Sequence, residues 1–377
     1  MTSLGGETAS TARPGARRRV LVLDGSADGQ SHGPLGAVRA LSLAGHEVHL
    51  AHAAPGSVAA RSRHVAQRHR IPSTESPRFV AAVRDLLAPG DFAACFPTSD
   101  AALVALDWPG AALVNKAWLR DRLAAVGTPA PESRELGSGA DLLAVADSLT
   151  FPLAVKPAVN GGAGSFDAFR ADGVADLKGL EHYDAGIVVE RWIDGVQRAV
   201  TGIVHQGRLL AVTHQRYERT WPVECGVACA AVTEEPDPEV EREVVALLDG
   251  YDGLFQCQHI EGHVHDVNPR VFGSLLLSQR AGVNLPDLAV RLAVGGPEAV
   301  APAEEPVRAA VGVRYRWVEG DLKNLRTTLR DPEVGTRDVL RRLRPRRGTV
   351  HSDVWISDPA PSLARVRHVV GRLRGAR

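Results

Sequence analysis

The chain has 377 residues, with 44 Lys plus Arg against 44 Asp plus Glu, 44% hydrophobic residues, 37 Gly and 24 Pro. At roughly 100 to 200 residues per domain, this length predicts two or three domains with sizeable cores. The even charge balance excludes a dedicated binder of nucleic acid or anionic membrane, and the ordinary composition excludes disorder, collagen and coiled coil.

Residues 1–16, rich in Thr, Ser, Gly and Ala without periodicity, read as a disordered tail. Arg17, Arg18 and Arg19 precede an apolar run that Asp24 interrupts. That run is too short for a secretory h-region, and no run in the chain approaches the roughly 18 residues of a membrane span, so the expected location is the cytoplasm. A strand at 18–24, a Gly-rich turn, a helix at 37–45 and a strand at 47–53 make a βαβ opening. A helix at 78–88 and strands at 91–97 and 111–115 complete an open α/β sheet over residues 17–114. Its strand C-termini, near 25–33 or 98–100, are where a ligand would sit. The Gly25 to Gly36 stretch lacks the spacing of a dinucleotide fingerprint and reads as a βα turn or a substrate loop, which also disfavours a nicotinamide-dependent oxidoreductase.

Residues 115–295 form a second, α+β domain. A helix at 116–127 ends at Gly127 and Pro129, followed by a helix at 141–149 and a strand at 151–158. Strands follow at 186–193, 197–207 and 208–216, then a helix at 238–250 and a hairpin over 254–270. Residues 296–377 read as an α/β extension, with strands at 307–318 and 349–356, helices near 321–330 and 336–343, and a final Arg-rich helix. The cluster Arg341, Arg342, Arg344, Arg346 and Arg347 reads as a solvated helix end. Cys95, Cys225, Cys229 and Cys257 are too scattered for a disulfide framework or zinc pattern and are expected to be structural.

The basic residues are Arg except for four lysines, Lys116, Lys156, Lys178 and Lys323. A surface charge can be either residue, but an ammonium reaching a phosphate through a narrow slot cannot become a planar guanidinium without a steric change. Lys178 and Lys323 sit in polar, surface-like contexts; Lys116 and Lys156 do not. Lys156 lies on the apolar strand FPLAVKP, ahead of the glycine loop NGGAGS with Gly161 and Gly162. A lysine there needs an anion or a snorkelling route to water, and a phosphate suits both the ammonium and the loop amides.

In the hairpin, Asp266 and Asn268 share a strand face, a hard-oxygen pair suited to Mg²⁺ bound with nucleotide phosphates. A strict two-residue turn at Glu261 and Gly262 would pair Cys257 with Asp266. A three-residue loop through His263 would instead pair Gln258 with Asp266 and Gln256 with Asn268, gathering a polar cluster, and this register is the expected one. Arg270 then emerges just past the cluster. His263 and His265 read as a metal pair or as a solvated hairpin; with no third soft partner, the solvated hairpin is expected. Arg216, Arg219 and Glu224 read as a solvated edge or as a clamp on a substrate carboxylate.

These motifs, in this order, resemble the ATP-grasp superfamily of carboxylate–amine ligases, as in carbamoyl phosphate synthetase large subunits and biotin carboxylases. The resemblance covers about residues 17–295, with a lid at about 130–195. It implies ATP phosphates on Lys116 and Lys156, adenosine recognition at Glu190, Arg191, Trp192 and Ile193, and Mg²⁺, two ions with Mn²⁺ as a substitute, on Gln258, Asp266 and Asn268. It also favours the clamp at Arg216, Arg219 and Glu224, since that family's substrate faces this strand. The family more often has Glu where Asp266 stands and an acid where Gln197 stands. The implied activity joins a carboxylic acid to an amine or amino acid through an acyl phosphate, releasing ADP and phosphate, with Arg270 stabilising developing charge. The alternative is a nucleotide-binding regulatory or scaffold protein of the same fold without turnover. The expected partners are those small molecules, with no nucleic acid and no membrane, and with a homodimer left open.

Overall fold

The computed structural model describes residues 17–161, 165–301, 305–329, 337, 344 and 346–375. The expected tail at 1–16, and the helix expected at 336–343 apart from residue 337, lie outside them.

The first layer is β1 (Arg19–Asp24), α1 (Gly33–Leu43), β2 (Glu47–His52), β3 (Gln67–Arg70), α2 (Phe79–Leu87), β4 (Ala94–Pro97) and α3 (Asp100–Leu106). Its strands pair in parallel in the order β3-β2-β1-β4. Every residue of β1 after the first is buried, as a strand covered on both faces requires. The expected strand at 111–115 is instead a 3₁₀ turn, Ala111–Val114, leading into α4 (Lys116–Val126). The cause is local: Asn115 Oδ1 accepts from the amides of Ala117 and Trp118 at 3.0 and 3.1 Å, capping α4.

A second sheet holds β5 (Ser133–Leu136), β6 (Leu153–Pro157), β7 (Phe169–Ala171) and β8 (Ile187–Arg191) in the order β5-β8-β6-β7, backed by α5 (Gly139–Val145). Its core contains Leu142, Val155, Ile187 and Val189. The central sheet is built from β9 (Gln197–His205), β10 (Arg208–Trp221), β11 (Val227–Glu234), β12 (Gly253–Ile260) and β13 (His263–Asn268), in the order β13-β12-β9-β10-β11. α6 (Pro238–Leu247) precedes β12; α7 (Leu275–Arg280) and α8 (Leu285–Gly295) follow β13. Alternation along these strands gives two cores. Val200, Val204, Phe255 and Cys257 pack with Leu119 and Leu123 of α4 and Val244 of α6. Ile203, Leu210 and Leu254 join Val38 and Leu41 of α1 and Leu288 of α8 in a core continuous with the first layer.

Residues after 300 are woven into this sheet rather than set apart from it. The single strand expected over 307–318 is divided into β14 (Val307–Arg308), which pairs β10, and β15 (Arg314–Arg316), which pairs β11. α9 (Val318–Thr328) starts where that strand was expected to end. The strand expected over 349–356 is only β16 (Val350–His351), beside β15. Beyond it, Asp353 is needed elsewhere: its carboxylate caps α9, accepting from the amides of Val318 and Glu319 at 3.2 and 3.1 Å. The last helix, α10 (Pro359–Gly375), begins just past Asp358.

Asp358 closes the molecule. The Arg39 guanidinium on α1, fully buried, donates to its carboxylate at 3.1 Å and to the Ser352 carbonyl at 2.7 Å. Ser62 Oγ and the Arg63 amide donate to the same carboxylate, and the Trp355 ring covers the guanidinium at 4.5 Å. Burial acts to raise the Asp358 pKa, but the Arg63, Ser62 and Arg39 donors hold it below the usual carboxylate value. Asp358→Ala strands a buried cation and is expected to cost about 3–5 kcal/mol. Denaturant midpoints measure this; Arg39→Met combined with Asp358→Leu should recover part of the loss, since no buried charge is then stranded while Ser62 Oγ, the Arg63 amide and the Ser352 carbonyl still lose their partners.

Candidate functional site

A cavity of about 670 Å³ is walled by the second sheet, the β12–β13 hairpin, the segment after β10 and α9. Its floor depends on one irregularity. Glu261 and Gly262 have φ of 46° and 81°, as in a two-residue hairpin turn with both central residues left-handed, and Ile260 pairs His263. Carried on, that register would set Asp266 against Cys257. A β-bulge intervenes between the Gln258 and His259 pairs, so Gln258 faces Asp266 and Gln256 faces Asn268. The expected partners are therefore met, but by a tight turn plus a bulge at His265 and not by a three-residue loop. Val264 and Val267, three apart, both enter the core that holds Cys257, while His265 and Asp266 both line the cavity. His265 is thus not part of a solvated hairpin: burial and Lys156 push its imidazole pKa down to about 3, so it is neutral.

Asp266 is the centre of the charge arrangement. Its carboxylate lies 3.5 Å from Lys116 Nζ and accepts from Asn268 Nδ2 at 2.7 Å and Gln258 Nε2 at 3.4 Å. Burial acts to raise its pKa, yet Lys116 and the other cations hold it below the ordinary value. Lys116, 5% exposed, has an Nζ with no hydrogen-bond partner among the described residues. Lys156 and Glu190 sit on one face of adjacent strands, since Ala154 pairs Glu190 and Lys156 is two residues on. Their side chains meet at 2.5 Å. Arg270 donates to Asp100 at the start of α3, and to Asn268 Oδ1 at 2.6 Å. Asn160, opening the glycine loop, also donates to Asp100, at 3.1 Å. Asp100 therefore ties the first layer to the loop and to Arg270.

The side-chain types of Gln258, Asp266 and Asn268 fit Mg²⁺: one carboxylate with two amides suits an ion completed by phosphate oxygens and water. Here Gln258 and Asn268 turn their NH₂ groups to Asp266, so each amide would rotate to present its oxygen to an ion. Of the other expected residues, Gly161, Glu190, Arg191, Trp192, Ile193 and Glu224 line the cavity, while Gly162 lies outside the described residues. The amides of Arg191 and Trp192 already donate to the carbonyls of Glu132 and Pro152, so they are not free for a base. Arg216 and Arg219 do not join Glu224 as a clamp on the cavity. Arg216 pairs Glu234 and Arg219 pairs Asp321 of α9, each at 2.5 Å. β10 runs unbroken through this segment to Trp221, with bulges near Tyr217 and Arg219. Sequence reasoning missed Trp221, Cys225, Trp317 and Lys323 in the wall. The scarcity of lysine was a signal for Lys323, set aside because its neighbours are polar.

No family model matches the chain. It is 32% identical over 105 residues to a D-alanine–D-alanine ligase of Stutzerimonas stutzeri, spanning 25% of this chain and about a third, 33%, of that one. Among solved structures it is similar to an L-amino acid ligase from Bacillus licheniformis, with TM-score 0.54, 19% identity and 74% of each chain covered. It is also similar to an ADP complex of an N5-carboxyaminoimidazole synthetase from Staphylococcus aureus, with TM-score 0.57, 13% identity, and 81% of this chain and 83% of that one covered. These neighbours are carboxylate–amine ligases of the ATP-grasp fold, and that is the fold of this chain.

If the cavity takes a nucleotide, two outcomes follow from the charge arrangement and the bulge. Lys116→Met removes the foremost cation holding down the Asp266 pKa, so that pKa rises and the acid limb of nucleotide binding moves to higher pH; binding isotherms across pH read the shift. Asp266→Asn should raise the Mg²⁺ half-saturation for nucleotide binding steeply and Gln258→Ala less so. Cys257→Ala, facing the opposite core, should leave it unchanged; a strong Cys257 effect with a silent Gln258 would assign the metal to the other register.

Proposed function

We propose that this chain is an ATP-dependent ligase that joins a carboxylic acid to an amine through an acyl phosphate. The observation that carries the reading is the convergence on one cavity of Lys116, Lys156 and Arg270, all three of which act to hold the Asp266 carboxylate below its usual pKa. Three cations lining one cavity suit a polyanion. Glu190 and Asp100 pair with Lys156 and Arg270 in the place such an anion would take.

A carboxylate resists attack because of its charge and resonance, and phosphorylation supplies a leaving group. The protein's part is positioning and charge neutralisation, without a nucleophilic side chain. Lys116 and Lys156 hold phosphate oxygens, with the glycine loop's amides beside them. Arg270, oriented by Asn268, neutralises charge that develops on the transferring phosphoryl group and on the tetrahedral carbon. Glu190 and Ile193 would face the nucleoside, and Gln258, Asp266 and Asn268 would hold Mg²⁺, which when bound would supply positive charge to neutralise the phosphates. The names of the amino acid ligases among the relatives support an amino acid as a substrate.

A panel of amino acids and small acids, with ATP and Mg²⁺, should yield ADP and phosphate in step with a condensed product found by mass. AMP and pyrophosphate would identify an adenylating enzyme instead. Lys156→Ala should lower ATP affinity by about tenfold or more, the worth of a hydrogen bond to a charged group. Lys156→Arg should not restore it, because the guanidinium is wider and planar.

A further inference from the structure

The C-terminal wall of the cavity carries an ammonium that the reaction proposed above does not use. Lys323, on α9, lines the cavity together with Trp317, and its Nζ lies 6.0 Å from the Trp317 ring centroid. Lys116 and Lys156 line the same cavity. Lys323 pairs with Glu319 one helical turn away, at 2.7 Å, but that carboxylate is shared: Arg365 of α10 donates to its other oxygen, also at 2.7 Å. On another side of α9, away from the cavity lining, Asp321 is shared in the same way between Arg219 and Arg316. Beside Lys323, one carboxylate therefore answers two cations. The nearby Asp353 is committed to the amides that open α9. His32 packs against Trp317 at 4.0 Å between ring centroids, and burial holds its pKa down to about 3, so it adds no charge. Trp317 itself is 5% exposed, and its indole N–H has no acceptor among the described residues. The wall thus presents a partly exposed ammonium whose counter-ion is shared, and an unmet donor.

We propose that Lys323 and Trp317 form a subsite for a carboxylate of the substrate pair that does not itself react. The assignment rests on the ligase reading. The reacting carboxylate must lie beside the transferred phosphoryl group, within reach of Lys116, Lys156 and Arg270, and it loses its charge on becoming an acyl phosphate. An ammonium elsewhere on the wall, sharing its one carboxylate with Arg365, is placed to take an anion that persists through the reaction. Two sources share this chemistry: the α-carboxylate of an amino acid serving as the amine, or the second carboxylate of a dicarboxylic acid. The wall's buried anchoring through Arg365, which also donates to the Gln30 carbonyl at 2.7 Å, fixes its position against the first layer. A subsite set on a fixed wall selects by charge and not by closing on whatever enters.

The test measures binding, so it does not depend on turnover. Wild type and Lys323→Met, each with Mg²⁺ and a non-hydrolysable ATP analogue, are titrated with L-amino acids as free acids and as carboxamides, and with succinate and glutarate against their monoamides. In wild type the free carboxylate should bind about tenfold or more tighter than its amide, as a lost charge-assisted hydrogen bond implies. Lys323→Met should erase that preference and Lys323→Arg should retain most of it, with nucleotide affinity unchanged in both. Loss of preference among the amino acids assigns the subsite to the amine; loss among the diacids assigns it to the acid. A preference equal in wild type and Lys323→Met for every pair, or no preference in wild type, overturns the subsite. Absence of ADP formation with all substrates would instead overturn the ligase reading, whatever the binding contrast.

Discussion

A carboxylate taken out of water and kept ionised sets the terms for the rest of this molecule. Asp266 is largely covered by protein at the floor of the cavity, and desolvation acts to raise its pKa. Lys116 opposes this from the start of α4, Lys156 from the second sheet and Arg270 from the end of the hairpin. Each cation has its own anchor: α4 is fixed by its Asn115 cap, Lys156 by Glu190, and Arg270 by Asp100 of the first layer. All three layers thus contribute to one electrostatic balance. The packing of the two cores on opposite faces of the central sheet holds these contributors in register.

Where an ion pair lines a cavity, its partner can be exchanged for a ligand of the same sign. Glu190 on Lys156 and Asp100 on Arg270 are in that position, since these ions border a space large enough for a small molecule. A polyanion entering the cavity competes with protein carboxylates that already satisfy the cations, so its net gain is the difference between two ion pairings and not the full strength of either. Affinity then depends on the additional contacts that only the ligand makes, above all at Lys116, whose Nζ has no hydrogen bond to give up among the described residues.

Much of this was legible in the sequence, for reasons that can be located. A strand lysine before a glycine loop in an arginine-rich chain marked Lys156, and the polar alternation of Gln256, Gln258, Asp266 and Asn268 marked the floor. The correct pairing was reached through the wrong device, because alternation reports which residues share a face but not whether a loop or a bulge brings them there; the three-residue spacing of Val264 and Val267 held that information. Arg216 and Arg219 were misread because their partners, Glu234 and Asp321, are 18 and 102 residues away, and no local pattern reveals a distant counter-ion. The same holds for Lys323: helical spacing showed Glu319 beside it, but not Arg365 drawing that charge away. The strand expected at 349–356 gave way to a cap on another element, a tertiary demand that outweighs β propensity.

The Arg39–Asp358 pair makes the stability of one layer depend on a distant stretch of chain. The two residues are 319 positions apart, and both are buried. The parallel sheet of residues 19–97 is contiguous in sequence, yet its helix α1 carries a guanidinium whose counter-ion comes from the segment between β16 and α10. Sequence contiguity and structural self-sufficiency therefore part company here: cutting the layer out at its sequence boundaries would leave a buried charge unpaired.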